Sequence, residues 1–212
     1  MKPHSIKLVV LLALYLVIIP LTQSSGLAQP SIVSAQPEAV ITDIVTMETS
    51  KGTIIIGLYG LDAPKTVENF TTLASKSFYN GILFHRIVSG FVIQAGDPAT
   101  RDTSLRAKWG RGGESIYGGK FADELNDETP SYKTGYVRGV IAMANSGENT
   151  NLSQFFFCLD DLSDLPKKYT MFGRVLKGME VVDAIAESDE KNSVPIEPIR
   201  IISTSVQKPE MK

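Results

Sequence analysis

A mainly β domain, a barrel or sandwich with helices packed over its ends, is the fold class this sequence predicts. Three observations predict it: short strand-like runs recur between turn residues, only two stretches carry helical periodicity, and strands and helices do not alternate as in a parallel sheet. The 17 glycines and 11 prolines in 212 residues fit a chain with many turns. At this length a single domain can bury its own core, whereas two full domains would be cramped. There is no internal repeat.

The first element is an address. Lys2 and Lys7 precede an apolar run from Leu8 to Ile19, and a polar stretch rich in small residues follows, which is the order of a secretory signal peptide. The run is shorter than the roughly 20 residues of a spanning helix, and Pro20 closes it. Cleavage can fall ahead of Gln29, after Gly26 and Ala28, or ahead of Gln36, after Val33 and Ala35. Residues 1–28 are therefore read as a signal peptide, the alternative being an uncleaved anchor that tethers the chain to a membrane through residues 8–19. Either reading makes the protein exported, with its folded part outside the cytoplasm. Residues 29–42 hold two prolines and no clear period and read as a flexible tether, 43–206 as the folded domain, and 207–212 as a C-terminal tail.

Within the domain, residues 43–49 alternate, Ser50-Lys51-Gly52 turns, and Thr53 to Tyr59 runs back, which predicts a hairpin. Asp62 and Pro64 stand where a helix should start, and Val67, Phe70, Leu73 and Ala74 share one face, so a helix is expected from Pro64 to Phe78. Leu83 to Gln94 is strand-like but interrupted at Ser89-Gly90, and a glycine-studded loop occupies 97–119. Further strands are expected at 139–145, 154–159, 170–175 and 196–206, with a second short helix marked by Met179, Val182, Ile185 and Ala186.

Charge and composition exclude several function classes. The formal net charge is −2, or −4 once Lys2 and Lys7 leave with the leader, and the basic residues are scattered, so nucleic acid is not an expected partner. One cysteine, Cys158, and two histidines, His4 and His85, exclude an internal disulfide and leave no basis for a transition-metal cluster. The loop Gly110-Arg111-Gly112-Gly113 lacks the Lys-Ser/Thr pair and the strand-to-helix setting of a phosphate cradle. Asp160, Asp161, Ser163 and Asp164 lack calcium-loop spacing and read as a solvated turn. Asn69 and Asn151 open glycosylation sequons, one on the predicted helix and one beside the polar loop, and neither is expected to be modified in most molecules.

Two stretches carry the chemistry. In Phe84-His85-Arg86, strand alternation puts Phe84 and Arg86 on one face and His85 on the other, and the Ser89-Gly90 step shifts register so that Phe91 and Gln94 join the working surface. In Ala144-Asn145, the loop 146–153 and Gln154-Phe155-Phe156, amide side chains stand at strand ends beside an apolar floor, an arrangement suited to an extended polypeptide. Either stretch alone reads as easily as ordinary rim and core residues.

Together they resemble the cyclophilin family. The resemblance runs through FHRIVSGFVIQAGDP, GGESIYGGKFADE, GVIAMANSGENTNLSQFFF and FGRVLKGMEVVDAI, in order and spacing, over about residues 43–206. It implies a closed eight-stranded antiparallel β-barrel capped by two α-helices, and a peptidyl-prolyl cis-trans isomerase that needs no cofactor and no metal. Its partners would be proline-containing polypeptides, its role the folding of exported proteins, and monomer is the default state. The alternative is a non-catalytic module of the cell envelope that holds a proline peptide or serves as a scaffold.

Carried over by position, the resemblance makes Arg86 the catalytic guanidinium. His85, Phe91, Val92, Gln94, Ala144, Asn145, Gln154, Phe156, Leu165 and Tyr169 line the substrate groove. The chain departs from many members at Asp164, where they carry tryptophan, at Tyr169, where they carry histidine, and at Val92, a common methionine. The missing tryptophan bears on cyclosporin binding more than on catalysis.

Overall fold

The computed structural model describes residues 38–210. The expected leader, most of the expected tether and the last two residues of the expected tail lie outside the described residues. What is described of the tether runs along the domain: Thr42 donates its N–H to the Leu58 carbonyl at 2.9 Å, and its hydroxyl accepts from the Gly60 N–H at 3.0 Å.

The hairpin read from the sequence is β1 (Asp43–Thr49) and β2 (Gly52–Leu58). Six more strands join it: β3 (Arg86–Val88), β4 (Val92–Ala95), β5 (Val140–Met143), β6 (Phe155–Cys158), β7 (Met171–Lys177) and, after a short separate hairpin of β8 (Glu190–Lys191) and β9 (Val194–Pro195), β10 (Ile201–Gln207). They form one curled antiparallel sheet of eight strands in the order β10-β1-β2-β7-β5-β6-β4-β3.

The expected closed barrel is not completed by a continuous ladder. β3 is only three residues long, so the β10 and β3 edges meet through the irregular chain that precedes β3. Gly81 donates to Ile201 O at 2.8 Å, Ile201 to Ile82 O at 2.9 Å and Phe84 to Ile199 O at 2.9 Å, and Leu83 bridges Arg200.

The stretch read as one interrupted strand is in fact a hairpin. Gly90 takes φ +67°, the chain reverses at Ser89-Gly90, and Arg86 lies opposite Gln94, Ile87 opposite Ile93, and Val88 opposite Val92. Phe84 does not share the face of Arg86 either. It lies before β3, where the backbone bonds to the far edge of the sheet, and its ring is buried in the main core.

Alternation along the strands sends side chains into two separate apolar clusters. Phe155, Phe157, Ile141, Met143, Ile93 and Phe172 point into the main core, while Phe156, Cys158, Val140, Ala142, Val92 and Met171 point to the opposite side. This explains why β5 and β6 are buried along their whole length, a pattern that periodicity alone does not separate from a buried helix.

Helix α1 (Pro64–Ser75) covers the main core with Val67, Phe70, Leu73 and Ala74, and α3 (Met179–Ala186) with Val182 and Ile185. The first-turn donors of α1 are satisfied from far away: Glu124 accepts from Lys65 N–H at 3.0 Å and Thr66 N–H at 2.8 Å, a carboxylate at the positive end of a helix. Asp62, expected to start this helix, instead accepts from the Ser131 N–H of a third, unexpected helix, α2 (Pro130–Thr134). Among the described residues no helix is long and apolar enough to cross a membrane.

Gly96 joins the two halves of the candidate groove. It follows β4 with φ +101°, and a β-carbon there would lie 2.3 Å from Ser153 O and 2.7 Å from the Gln154 Cα. Gly96→Ala is expected to lower unfolding free energy in urea by about 2–4 kcal/mol, the sum of left-handed strain and overpacking. An unchanged urea midpoint would show that the two segments are not in obligatory close approach.

Candidate functional site

The outer face of the sheet opens into a cleft of about 240 Å³ lined by Arg86, Phe91, Val92, Gln94, Ala144, Asn145, Phe156, Leu165 and Tyr169. Its residues come from β3, β4 and the turn between them, from β6, from the residues just after β5, and from the loop before β7. Gln94 opens onto a second depression, beyond Asn145, that includes Gly110, Gly112 and Gln154.

The floor is apolar. Phe156 is 5% exposed and meets Tyr169 edge to face, with ring centroids 5.5 Å apart, and Val92, Ala142 and Met171 pack beneath. At the rim, the half-buried Arg86 guanidinium stands 6.0 Å from the Phe91 ring centroid, at the outer limit of a cation–π contact. No carboxylate pairs with it among the described residues.

A chain of amides sets the orientation of this cation. Arg86 Nη1 reaches Gln94 Oε1 at 3.4 Å, Gln94 Nε2 donates to Gln154 Oε1 at 2.9 Å, and Gln154 Nε2 donates to the Gly112 carbonyl at 2.7 Å. The cross-strand pairing of Arg86 with Gln94, and of Gln94 with Phe156, holds the three side chains in register. Gln154 is therefore a support behind Gln94 more than a wall.

Asn145 lines the cleft as expected, but its side-chain amide is already engaged. Its Nδ2 donates to Lys168 O at 2.8 Å, which ties the loop carrying Tyr169 to the end of β5. Its main-chain N–H and C=O take no partner among the described residues, so it is the backbone of Asn145 that stands ready for an extended polypeptide.

His85 does not line the cleft. It is 5% exposed, lies behind the surface, and neither ring nitrogen has a hydrogen-bond partner among the described residues. Burial pushes the pKa of its imidazole below the ordinary value, and Asp97 nearby opposes this only partly. The glycine loop weighed as a phosphate cradle already serves that carboxylate: Gly110 and Gly112 donate their N–H groups to Asp97 Oδ2 at 2.7 and 3.2 Å. Both sequon amides are buried and hydrogen-bonded, Asn69 to Leu152 O at 2.9 Å and Asn151 to Asp123 at 2.7 Å. Cys158 lies beneath the floor, where burial pushes its thiol up to about 12.

The residues that sequence reasoning missed are those that hold the wall. Leu165 and Tyr169 sit on the loop between β6 and β7, and the side chain that grips this loop is Tyr136, just past α2. A lone tyrosine after a five-residue helix gives no sequence signal for that contact.

His85 also sets a pH dependence. The imidazole is held neutral in the fold but binds a proton in the unfolded chain below about 6.5, so the unfolded state gains protons first. Stability from this residue is full above that value and is lost as pH falls from it through the lowered folded value. Denaturant midpoints between pH 7.5 and pH 5 should fall more for the wild type than for His85→Phe; parallel curves would contradict the assignment.

The family model described as cyclophilin type peptidyl-prolyl cis-trans isomerase/CLD matches residues 44–206. A peptidyl-prolyl cis-trans isomerase of Arabidopsis thaliana is 43% identical over 174 residues, covering 82% of this chain and 98% of its own. Another, of Schizosaccharomyces pombe, is 45% identical over 160 residues, covering 74% of this chain and 95% of its own. The solved structure of a cyclophilin type peptidyl-prolyl cis-trans isomerase from Cryptosporidium parvum superposes with a TM-score of 0.69 at 32% identity, covering 81% of this chain and 100% of that one. The same protein in the presence of the dipeptide Ala-Pro gives 0.68 at 33% identity, covering 77% of this chain and 98% of that one.

Proposed function

Because the chain belongs to the family of cyclophilin-type peptidyl-prolyl cis-trans isomerases, we propose that the Arg86 cleft is where it turns Xaa-Pro bonds, and that its clients are exported polypeptides. The isomerase activity comes with the family. The observation that carries the assignment to this cleft is an unpaired guanidinium beside an aromatic floor.

Rotation about a peptide bond meets a barrier of about 20 kcal/mol because resonance stiffens the C–N bond. For Xaa-Pro the two isomers differ by only about 1 kcal/mol, so the catalyst need only favour the twisted state. In that state the prolyl nitrogen regains a lone pair. Arg86 offers donors in a planar fork with permanent charge, suited to that lone pair or to the adjacent carbonyl. Phe91, Phe156, Leu165 and Tyr169 receive the pyrrolidine ring and keep water from the contact, which strengthens it. Gln94 aims the fork, and the free backbone of Asn145 pairs with the flanking peptide, so that only one side of the bond turns. That the Cryptosporidium protein was crystallised in the presence of the dipeptide Ala-Pro supports proline-containing peptides as the ligand class.

The export reading rests on Lys2, Lys7, the apolar run and the small residues after it. Folding of exported chains is a setting in which uncatalysed isomerisation, tens of seconds or longer, limits the rate. N-terminal sequencing of the protein recovered from outside the cytoplasm should begin at Gln29 or Gln36, or at Met1 in the membrane fraction; recovery only from cytosol would end this reading.

For the chemistry, Arg86→Lys keeps the charge and removes the fork. Turnover of an Xaa-Pro peptide in a protease-free assay should fall about a hundredfold, the scale of losing a preorganised donor. Nearly full turnover would refute the role of Arg86.

A further inference from the structure

The wall of the proline pocket is held by contacts at a few points. The loop from Asp160 to Tyr169 carries Leu165 and Tyr169 into the cleft, and beside it an open depression of about 290 Å³ is lined by residues 134–137 and by Asp161, Leu162, Ser163, Leu165 and Lys167. Leu162, Leu165 and Tyr169 pack against the buried cluster that includes Tyr136 and Phe156, while Asp161, Ser163 and Lys167 stay in solvent, so the loop is held by that one-sided packing together with its hydrogen bonds.

Tyr136 supplies three of those bonds. Its hydroxyl donates to the Tyr169 carbonyl at 2.9 Å and accepts from the Tyr169 N–H at 2.9 Å, clasping both main-chain groups of one residue. Its own carbonyl accepts from the Leu162 N–H at 2.8 Å, so one residue grips both ends of the segment that carries Leu165. The ring is 4% exposed and stands 6.3 Å from the Tyr169 ring and 6.5 Å from that of Phe156. Burial raises its phenol to about 12, so the hydroxyl keeps its proton through the pH range of any assay. Gly135, at φ +77°, turns the chain so that Tyr136 points back under the sheet.

We infer that Tyr136 is a positioning residue for substrate recognition: by clasping Tyr169 it fixes the wall against which the pyrrolidine ring is held. The inference rests on the cleft being the substrate site. The wall touches the ring in cis, trans and twisted states alike, so loosening it removes binding common to all three. Arg86, by contrast, acts on the twisted state. The two residues should therefore separate in kinetics, with Tyr136 in KM and Arg86 in kcat.

The test uses the full chain and a short Ala-Pro peptide, with KM and kcat measured for the wild type, Tyr136→Phe and Leu165→Ala. Tyr136→Phe keeps the ring and removes the clasp. It should raise KM about fivefold or more with kcat within twofold, and the Tyr169 amide should exchange with deuterium at least tenfold faster. Leu165→Ala should raise KM as well. If Leu165→Ala raises KM and Tyr136→Phe leaves it unchanged, the Tyr136 assignment is overturned while the cleft stands. If neither moves KM, the cleft reading itself is wrong. A Tyr136→Phe protein with a lowered melting temperature but unchanged KM and exchange at low temperature has lost only stability, which also overturns the inference.

Discussion

A cation without a counter-ion beside an aromatic floor is the feature on which the rest of this site depends. An unpaired guanidinium swings freely unless something aims it, and an ion pair would aim it at the cost of its function. The chain uses neutral amides instead. Gln94 and Gln154 relay the orientation of Arg86 to the Gly112 carbonyl without neutralising the charge. The last acceptor in that relay is main chain, itself fixed because its neighbouring N–H groups are bound to the buried Asp97.

That solution needs a sheet with two apolar faces. Strand alternation sends Phe155 and Phe157 into the main core and Phe156 and Cys158 beneath the cleft. The floor of the site is thus the reverse side of the same strands that hold the fold together, and it inherits their rigidity. The wall is built differently, on a long loop that packs on the second apolar cluster through Leu162, Leu165 and Tyr169 and is pinned by hydrogen bonds from Tyr136 and from the side chain of Asn145. Floor and cation are preorganised by the sheet, and the wall by the packing of a loop and the hydrogen bonds that pin it.

Most of this was legible in the residues, and what was not has a common cause. Local pattern located the first hairpin, both longer helices and the stretches around Arg86 and Gln154, because period and turn residues are local properties. Ser89-Gly90 was legible as an interruption but not as a reversal, since the same dipeptide serves a bulge or a turn until φ is known. Asp62 was legible as a cap but not as the cap of another helix, and Glu124 not at all, because a partner 58 or 59 residues away leaves no mark on spacing. Tyr136 and the main-chain offer of Asn145 fall in the same class. The resemblance supplied which residues meet, and the coordinates supplied which atoms are free.

Gln154 acts on the substrate only through Arg86, and a double-mutant cycle measures that coupling directly. Exchange NMR on an Ala-Pro peptide would give the turnover of the wild type, Gln154→Leu, Arg86→Lys and the double variant. The relay predicts that Gln154→Leu slows the wild type but scarcely affects the Arg86→Lys protein, a coupling expected only of groups in one network. Equal fold-losses in both backgrounds would show that the two residues act independently and would contradict the account.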